Sequence, residues 1–291
     1  MSDPRVVDVH VHLFEKPDDP VRDEYEIWEY GSHDGVEFGN RRGTPDDLVA
    51  ALGHGERVAH SVLLGMFCPQ PAATGEADRL RAYNSWVLET AAASPHLTPF
   101  VAADPGALGG RAGAAHLRSA VERGARGIKL HPPMQAFAPD DPRLDAIYET
   151  CVELGLSVLG HSGSTREGPA SDPFAFSSVL EAHPGLHLVL AHLGGASWRQ
   201  VIPFAAAYPS VSFDLCEIIA WTGAPRAPTA DELGRLIRNV GPERVLFGTD
   251  FPWYELDRTI DHLMALPHLS DEERLGILGE NAIRRIGLDV P

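Results

Sequence analysis

The stretch Val6-Val7-Asp8-Val9-His10-Val11-His12-Leu13 reads as a buried β-strand whose last inward positions are histidines. Alternate side chains of a strand share a face, so His10 and His12 point the same way. Two imidazoles side by side at the end of an apolar strand are a natural start for a metal site. On its own the pair decides nothing, because the chain has 14 histidines and a chance His-x-His is not rare. What decides is whether later strand ends supply further ligands.

Working outward, the same kind of short apolar run recurs seven more times. The runs begin at Val58, Leu97, Ala125, Leu156, His187, Val211 and Arg244, and a helical pattern follows each one. The helical stretches lie near Ala77–Ala93, Arg111–Arg123, Pro142–Leu154, Phe174–Ala182, Trp198–Ala207, Asp231–Val240 and Asp257–Ile286. A further helix opens at Thr44-Pro45-Asp46-Asp47, where Thr caps and Pro takes the first helical position. Strands alternating with helices predict βαβ units and a parallel sheet. Eight such units over 291 residues predict a (β/α)8 TIM barrel, with 1–291 as a single domain. A doubly wound sheet is the alternative, but it calls for a Gly-rich phosphate loop after the first strand, and none is present.

Charge and cysteine usage narrow the function class. The net charge of −17 argues against nucleic acid or an anionic membrane surface as partner, since both need clustered Lys and Arg. Cys68, Cys151 and Cys216 are too few and scattered for a disulfide framework or a cysteine zinc finger. The start Met1-Ser-Asp-Pro carries no charged segment leading into an apolar run, and no run of eighteen apolar residues exists. A reducing cytoplasm and a small-molecule substrate are the expectation.

In a barrel of this kind the active site lies at the C-terminal ends of the strands. Those ends carry His10 and His12, then Lys129 and His131 on one face of the fourth strand, His161, His192 and Asp250. Each terminates an otherwise apolar run, and burying such groups costs several kcal/mol unless they are paired or coordinated, by rough transfer values of about 2–7 kcal/mol for a neutral polar group. Three or more histidines and a carboxylate converging on one mouth suit a divalent ion such as zinc, with an open position for water. A bound ion lowers the pKa of that water toward about 7. Asp250 can ligate the ion and accept the water's proton, and His192 can orient the nucleophile or act as acid or base.

His10-Val-His12, Gly127-Ile-Lys-Leu-His-Pro132, Gly160-His161-Ser-Gly163, Ala191-His192-Leu-Gly-Gly195 and Gly248-Thr-Asp250-Phe-Pro252 stand in this order along the chain. In this the sequence resembles the amidohydrolase superfamily, in the amidohydrolase-related branch that includes aminocarboxymuconate-semialdehyde decarboxylase. Leu278-Gly-Glu-Asn281-Ala282 resembles that group's closing signature. The resemblance implies a metal-dependent barrel with His10, His12, His161 and Asp250 as ligands and His192 beside the metal. It also implies an activity drawn from hydrolysis of C–N, C–O or lactone bonds or from decarboxylation of aromatic or muconate acids.

Lys129 separates one metal from two. The chain has only two lysines, Lys16 and Lys129, against 22 arginines, the 24 basic residues less those two. Lysine can lose its proton when buried, and arginine cannot. A carboxylated Lys129 would bridge two metals with His161 and His192, as in binuclear amidohydrolases. As a cation it would pair with Asp8, Asp250 or a substrate carboxylate, and one ion per chain would be bound. The second reading is the expectation. His131 is either a pocket residue or a structural histidine.

The interval 14–44 is the longest connection and reads as a lid-like insertion. Its aromatics, Phe14, Trp28, Tyr30 and Phe38, suit an apolar substrate, and Arg41 and Arg42 suit a carboxylate. A homo-oligomer contact is the alternative for the same surface. Trp253 and Trp221 point to a planar ligand. Together these features predict a metal-dependent hydrolase in which activated water attacks an amide, ester or lactone carbonyl. A metal-dependent nonoxidative decarboxylase of an aromatic or muconate-type acid is the alternative.

Overall fold

The computed structural model describes residues 5–14, 29–39, 41–70, 74–163 and 171–290. Eight strands form one parallel sheet in sequential order: β1 (Val7–Val11), β2 (His60–Leu64), β3 (Leu97–Ala102), β4 (Gly127–Leu130), β5 (Ser157–Gly160), β6 (His187–Leu190), β7 (Ser212–Asp214) and β8 (Val245–Leu246). The ends of the sheet meet: Val9 N–H donates to Phe247 O at 2.9 Å, and His12 N–H to Phe251 O at 2.8 Å. The sheet is therefore a (β/α)8 barrel, and the doubly wound alternative falls. Among the described residues no helix is long and apolar enough to cross a membrane.

The helices form where the sequence has their end signals. Thr44 caps Pro45–Leu52, its side chain accepting from Asp47 N–H while the Asp47 carboxylate accepts from Thr44 N–H. Thr229 and Glu232 do the same for Ala230–Val240. The helix expected over 142–154 begins as a 3-10 turn, Pro142–Leu144, before Asp145–Leu154, and the segment 257–286 breaks into Leu256–Ala265, Asp271–Leu275 and two π-turns.

Inside the barrel, one apolar cluster gathers Val7, Val9, Val62, Leu64, Phe100, Leu159, Val189 and Leu246. A second, larger cluster lies between strands and helices and includes Val11, Leu63, Val101, Ile128, Leu130, Val158 and Phe213. Emptying a filled interior position such as Phe100 to alanine costs about 3–5 kcal/mol.

The membership of β1 departs from plain alternation. Its register with β2 shifts between Asp8, opposite Ser61, and Val11, opposite Leu63, so β1 holds one extra residue there. Bulges of this kind re-aim side chains near active sites. Here Val9 still belongs to the barrel interior while His10 also reaches the Lys129 amine of β4.

Candidate metal centre

The strands are shorter than the apolar runs suggested, so several polar residues at their ends lie one to four positions beyond the last strand residue. His131 and His161 follow β4 and β5 directly, and His192 and Asp250 lie further on in turns. His192 (φ 60°) and Asp250 (φ 56°) have left-handed backbone, so strand alternation cannot tell where they point. They nevertheless reach the same buried pocket as His10 and His12, with exposures of 2% for His192 and 5% for Asp250.

The rings are held by partners that fix their tautomers. His10 Nδ1 lies 2.9 Å from Asp214 Oδ2, and His12 Nδ1 lies 3.1 Å from Leu64 O. A neutral imidazole donating through Nδ1 carries its lone pair on Nε2. Those two Nε2 atoms face each other at 3.1 Å, and Asp250 Oδ1 lies 3.4 Å from the first and 3.5 Å from the second. His192 Nδ1 lies 3.4 Å from Glu217 Oε2 and 3.4 Å from Cys216 O, which leaves its Nε2 to accept from His161 Nδ1–H at 3.1 Å. His161 Nε2 is then a lone pair, and it is buried without a hydrogen-bond partner.

Burial, the largest cause in each case, pushes the pKa of His10, His12, His161 and His192 well below the ordinary histidine value. All four are neutral at pH 7, the state in which imidazole ligates a metal. The Nε2 lone pairs of His10 and His12 and the Asp250 carboxylate lie within 3.5 Å of one another, a donor set for a cation, and His161 Nε2 is a further buried lone pair. The residues present therefore fit a divalent ion.

A purely geometric grouping joins His10, His192, Cys216 and Asp250, whose ligand atoms lie within 4.8 Å of one another. Cys216 Sγ sits behind the rings, 3.2 Å from His10 Nδ1 and 3.3 Å from His192 Nδ1, and donates to Asp214 Oδ1 at 2.9 Å. Burial pushes its thiol pKa well up without a metal, and its proton is engaged by the Asp214 carboxylate.

Lys129 is buried, with Nζ 3.2 Å from His10 Nε2. Burial lowers its pKa, against the pull of Asp250, Asp214, Cys216 and Glu217. His131 stacks on His161 with centroids 4.1 Å apart and planes at 12°. Its Nδ1 accepts from Met134 N–H at 3.3 Å, so its proton is on Nε2, and burial lowers its pKa to about 3. Trp253 places its ring edge-on to His12 at 5.5 Å.

The arginines expected to meet a carboxylate are placed differently. Arg41 Nη2 pairs with Glu255 at 2.8 Å, and Arg42 is exposed. Trp221 does not present a free face either. Tyr30 stacks on it at 5.3 Å, and its Nε1–H donates to Tyr254 OH at 2.7 Å. The portion of the 14–44 insertion that carries Lys16 and Trp28 lies outside the described residues.

Sequence reasoning missed Asp214. Its carboxylate holds His10 Nδ1, the His192 N–H at 2.9 Å and the Cys216 thiol. The signal was available, since Asp214 is the single charged residue in the run Val211-Ser-Phe-Asp-Leu215. Asp8 plays a neighbouring part. It accepts from Thr249 Oγ1 at 2.6 Å and from the amides of Thr249 and His10, and burial raises its pKa to about 7.

Comparison with known proteins follows the same lines. The family model described as Amidohydrolase matches residues 7–288. The chain is similar to the 2-amino-3-carboxymuconate-6-semialdehyde decarboxylase of Dictyostelium discoideum, with 26% identity over 207 residues. That alignment covers 59% of this chain and 56% of the relative, little more than half of its length. The fold is shared with 5-carboxyvanillate decarboxylase from Sphingomonas paucimobilis, at TM-score 0.70 and 15% identity, covering 98% of this chain and 100% of that one. It is shared equally with 2,6-dihydroxybenzoate decarboxylase from Rhizobium, at TM-score 0.68 and 17% identity, covering 98% and 99%.

The likeness to the Dictyostelium relative overturns the expectation of hydrolysis, because that relative is named a decarboxylase. The physical reason for the error is plain. A cage of neutral imidazoles and one carboxylate supports both activated water and a bound carboxylic acid, so the strand-end residues alone do not separate the two reactions.

Proposed function

The chain belongs to the amidohydrolase family, and from that premise we propose that it is a metal-dependent nonoxidative decarboxylase of an aromatic or muconate-type acid. The observation that carries the reading is the likeness to a named decarboxylase across 59% of the chain, which supports that chemistry at a site built to hold a cation. The proposed ligands are His10, His12, His161 and Asp250, holding one ion per chain, with zinc as the first candidate and Lys129 as an uncarboxylated amine. When bound, a divalent ion supplies fixed positive charge that orients and polarises the acid's oxygen atoms.

The protein's own groups account for the rest of the chemistry. The pocket residues are nearly dry, from 1% exposure at His10 to 7% at His161. Desolvation raises the energy of a localised carboxylate relative to the dispersed charge that develops as CO₂ departs. The bond between the carboxylate carbon and the ring or diene carbon breaks, and the electron pair stays on the latter. That carbon then takes a proton that originates in solvent, and His192 and Asp250, neither of which holds an acidic proton at rest, are proposed to pick it up and deliver it. His131 Nε2–H and the edge of Trp253 are proposed to contact the substrate. The reading gives the chain a small-molecule substrate.

Incubating metal-loaded protein with a panel of hydroxybenzoic and muconate-type acids tests this. Release of CO₂ with one solvent deuteron in the product is expected. Products that instead incorporate ¹⁸O from water, with no CO₂, would refute it. Metal analysis is expected to give one ion per chain, and two ions with a carboxylated Lys129 would overturn the single-ion assignment.

A further inference from the structure

The turn that carries His192 is left-handed over four consecutive residues. Its φ angles are 60° at His192, 45° at Leu193, 84° at Gly194 and 53° at Gly195. Glycine adopts such angles freely, whereas His192 and Leu193 do so only when their surroundings hold them there. Carboxylates from outside the turn grip both of its ends. At the start, His192 N–H donates to Asp214 Oδ1 at 2.9 Å. At the far end, Ala196 N–H donates to Glu29 Oε1 at 2.7 Å, across 167 positions of sequence.

Asp214 belongs to the barrel wall, but Glu29 comes from the first connection. Its residue is 3% exposed, unusual for a glutamate. Its carboxylate lies against two glycines, Gly163 and Gly195, where any Cβ would collide with Oε1. Gly163 lies two positions after His161, and Gly195 three after His192. Gly163 is in turn tied to Ser171, its N–H donating to Ser171 O at 3.0 Å and its carbonyl accepting from Ser171 Oγ at 2.6 Å. One buried carboxylate therefore sits at the point where the segments behind both histidines meet, and both segments have glycine where it needs room.

We propose that Glu29 is a positioning residue for His192: by accepting the Ala196 N–H it locks the far end of the left-handed turn and so fixes the direction of the His192 ring. This rests on the reading in which His192 handles the proton. Glu29 touches no reacting atom in this scheme. Its hydrogen bond goes to the His192 turn, whereas it meets the His161 segment only by packing at Gly163, so its effect belongs mainly to turnover rather than to substrate or metal affinity.

The test compares the metal-loaded parent with Glu29→Ala and Glu29→Gln. Gln keeps the acceptor oxygen and the volume. A hydrogen bond to a charged acceptor is lost in the first variant, so amide exchange over residues 192–196 is expected to rise by about tenfold or more. The kcat is expected to fall by about tenfold with KM within about twofold and bound metal unchanged, and Glu29→Gln is expected to restore most of both effects. Exchange in Glu29→Ala within about twofold of the parent would overturn the proposal. So would a Gln variant as impaired as the Ala variant, or a rise in KM at constant kcat. If Glu29→Ala does not fold, Glu29→Asp, one methylene shorter, takes its place with the same expectations. The exchange measurement needs no substrate, so a parent that releases no CO₂ counts against the decarboxylase reading and not against the latch.

Discussion

Two groups of histidines occupy opposite ends of the same barrel, the first buried throughout and the second buried only at His60. His10, His12, His161 and His192 lie at the mouth, beside or beyond the C-terminal ends of β1, β5 and β6. His54, His60 and His96 lie at the floor, at or before the first residues of β2 and β3. Burial holds the rings of the mouth neutral, and it lowers His54 and His60 to about 4 as well. The difference is in where the nitrogens point. At the floor, His54 Nε2 meets Ser61 Oγ at 2.9 Å, His60 Nε2 meets Thr98 Oγ1 at 2.7 Å, and His96 Nδ1 meets Ala59 O at 2.9 Å. His54 and His96 stack in parallel, with planes at 6°. Each floor ring has one nitrogen answered by its own neighbour, and among the described residues no second lone pair faces the one buried nitrogen left over, His60 Nδ1. At the mouth the Nδ1 atoms of His10 and His12 are answered in the same way, and it is their Nε2 atoms that converge. A histidine cluster becomes a cation site when the partners behind the rings face outward and leave the lone pairs facing one another.

The sharpest way to break this contrast is to remove one residue from each end. His161→Ala or Asp250→Asn is expected to lower decarboxylation by about 10³-fold and to reduce bound metal. His60→Gln at the floor is expected to leave kcat within about twofold and to cost about 1–2 kcal/mol of stability through the lost Thr98 contact. Steady-state kinetics, metal content and denaturant unfolding on the three variants check this. Equal losses of activity at both ends would mean that lone-pair direction does not distinguish the clusters.

A smaller effect tests whether the partners behind the rings matter as claimed. Asp214→Asn keeps the shape but weakens the bonds to His10 Nδ1, His192 N–H and Cys216 Sγ. Chelator competition is expected to show metal affinity reduced by about 10–100-fold, the usual cost of losing such a partner. Cys216→Ser, which keeps a donor toward Asp214, is expected to change it far less. An unchanged affinity in Asp214→Asn would show that the cage holds its shape without its outer carboxylate.

Much of the mouth was legible because polar residues interrupt apolar runs. His10, His12, Lys129, His161, His192 and Asp250 announce themselves in this way, and so does the eightfold alternation that makes the barrel. What was not legible depends on contacts remote in sequence. Asp214 meets His10 across 204 positions, and Glu29 meets Ala196 across 167. The extra residue in β1 and the left-handed backbone at His192 and Asp250 also leave no periodic trace, because periodicity assumes regular φ and ψ. Arginine charge suits any carboxylate, and the one Arg41 pairs with in the structure is the protein's own Glu255. The reaction type was misread for want of any residue at the strand ends that separates hydrolysis from decarboxylation.

The least effect, and the most selective, is on stability against pH. A histidine whose folded pKa is depressed binds fewer protons than it does in the unfolded chain. His54 and His60 titrate near 4 when folded against an ordinary 6.5, with burial the chief cause and His96 the next for both. Their contribution is fully present above pH 6.5 and is lost as the pH falls from there toward 4. The loss is at most about 3 kcal/mol per ring, and less for the partly exposed His54, where solvent screens the cost. Asp289 works against it, since its charge raises the pKa of His60. The mouth histidines add the same acid sensitivity; saturating metal binds the neutral form of the three proposed histidine ligands and opposes it there, while His192 and His131 keep theirs. Thermal melts of metal-saturated protein between pH 7 and pH 5 are therefore expected to fall in part through the floor, with His192 and His131 supplying the rest. Replacing both His54 and His60 by glutamine is expected to flatten that fall while lowering stability at pH 7. A slope unchanged by the double substitution would place the acid sensitivity elsewhere and remove the floor cluster as the cause.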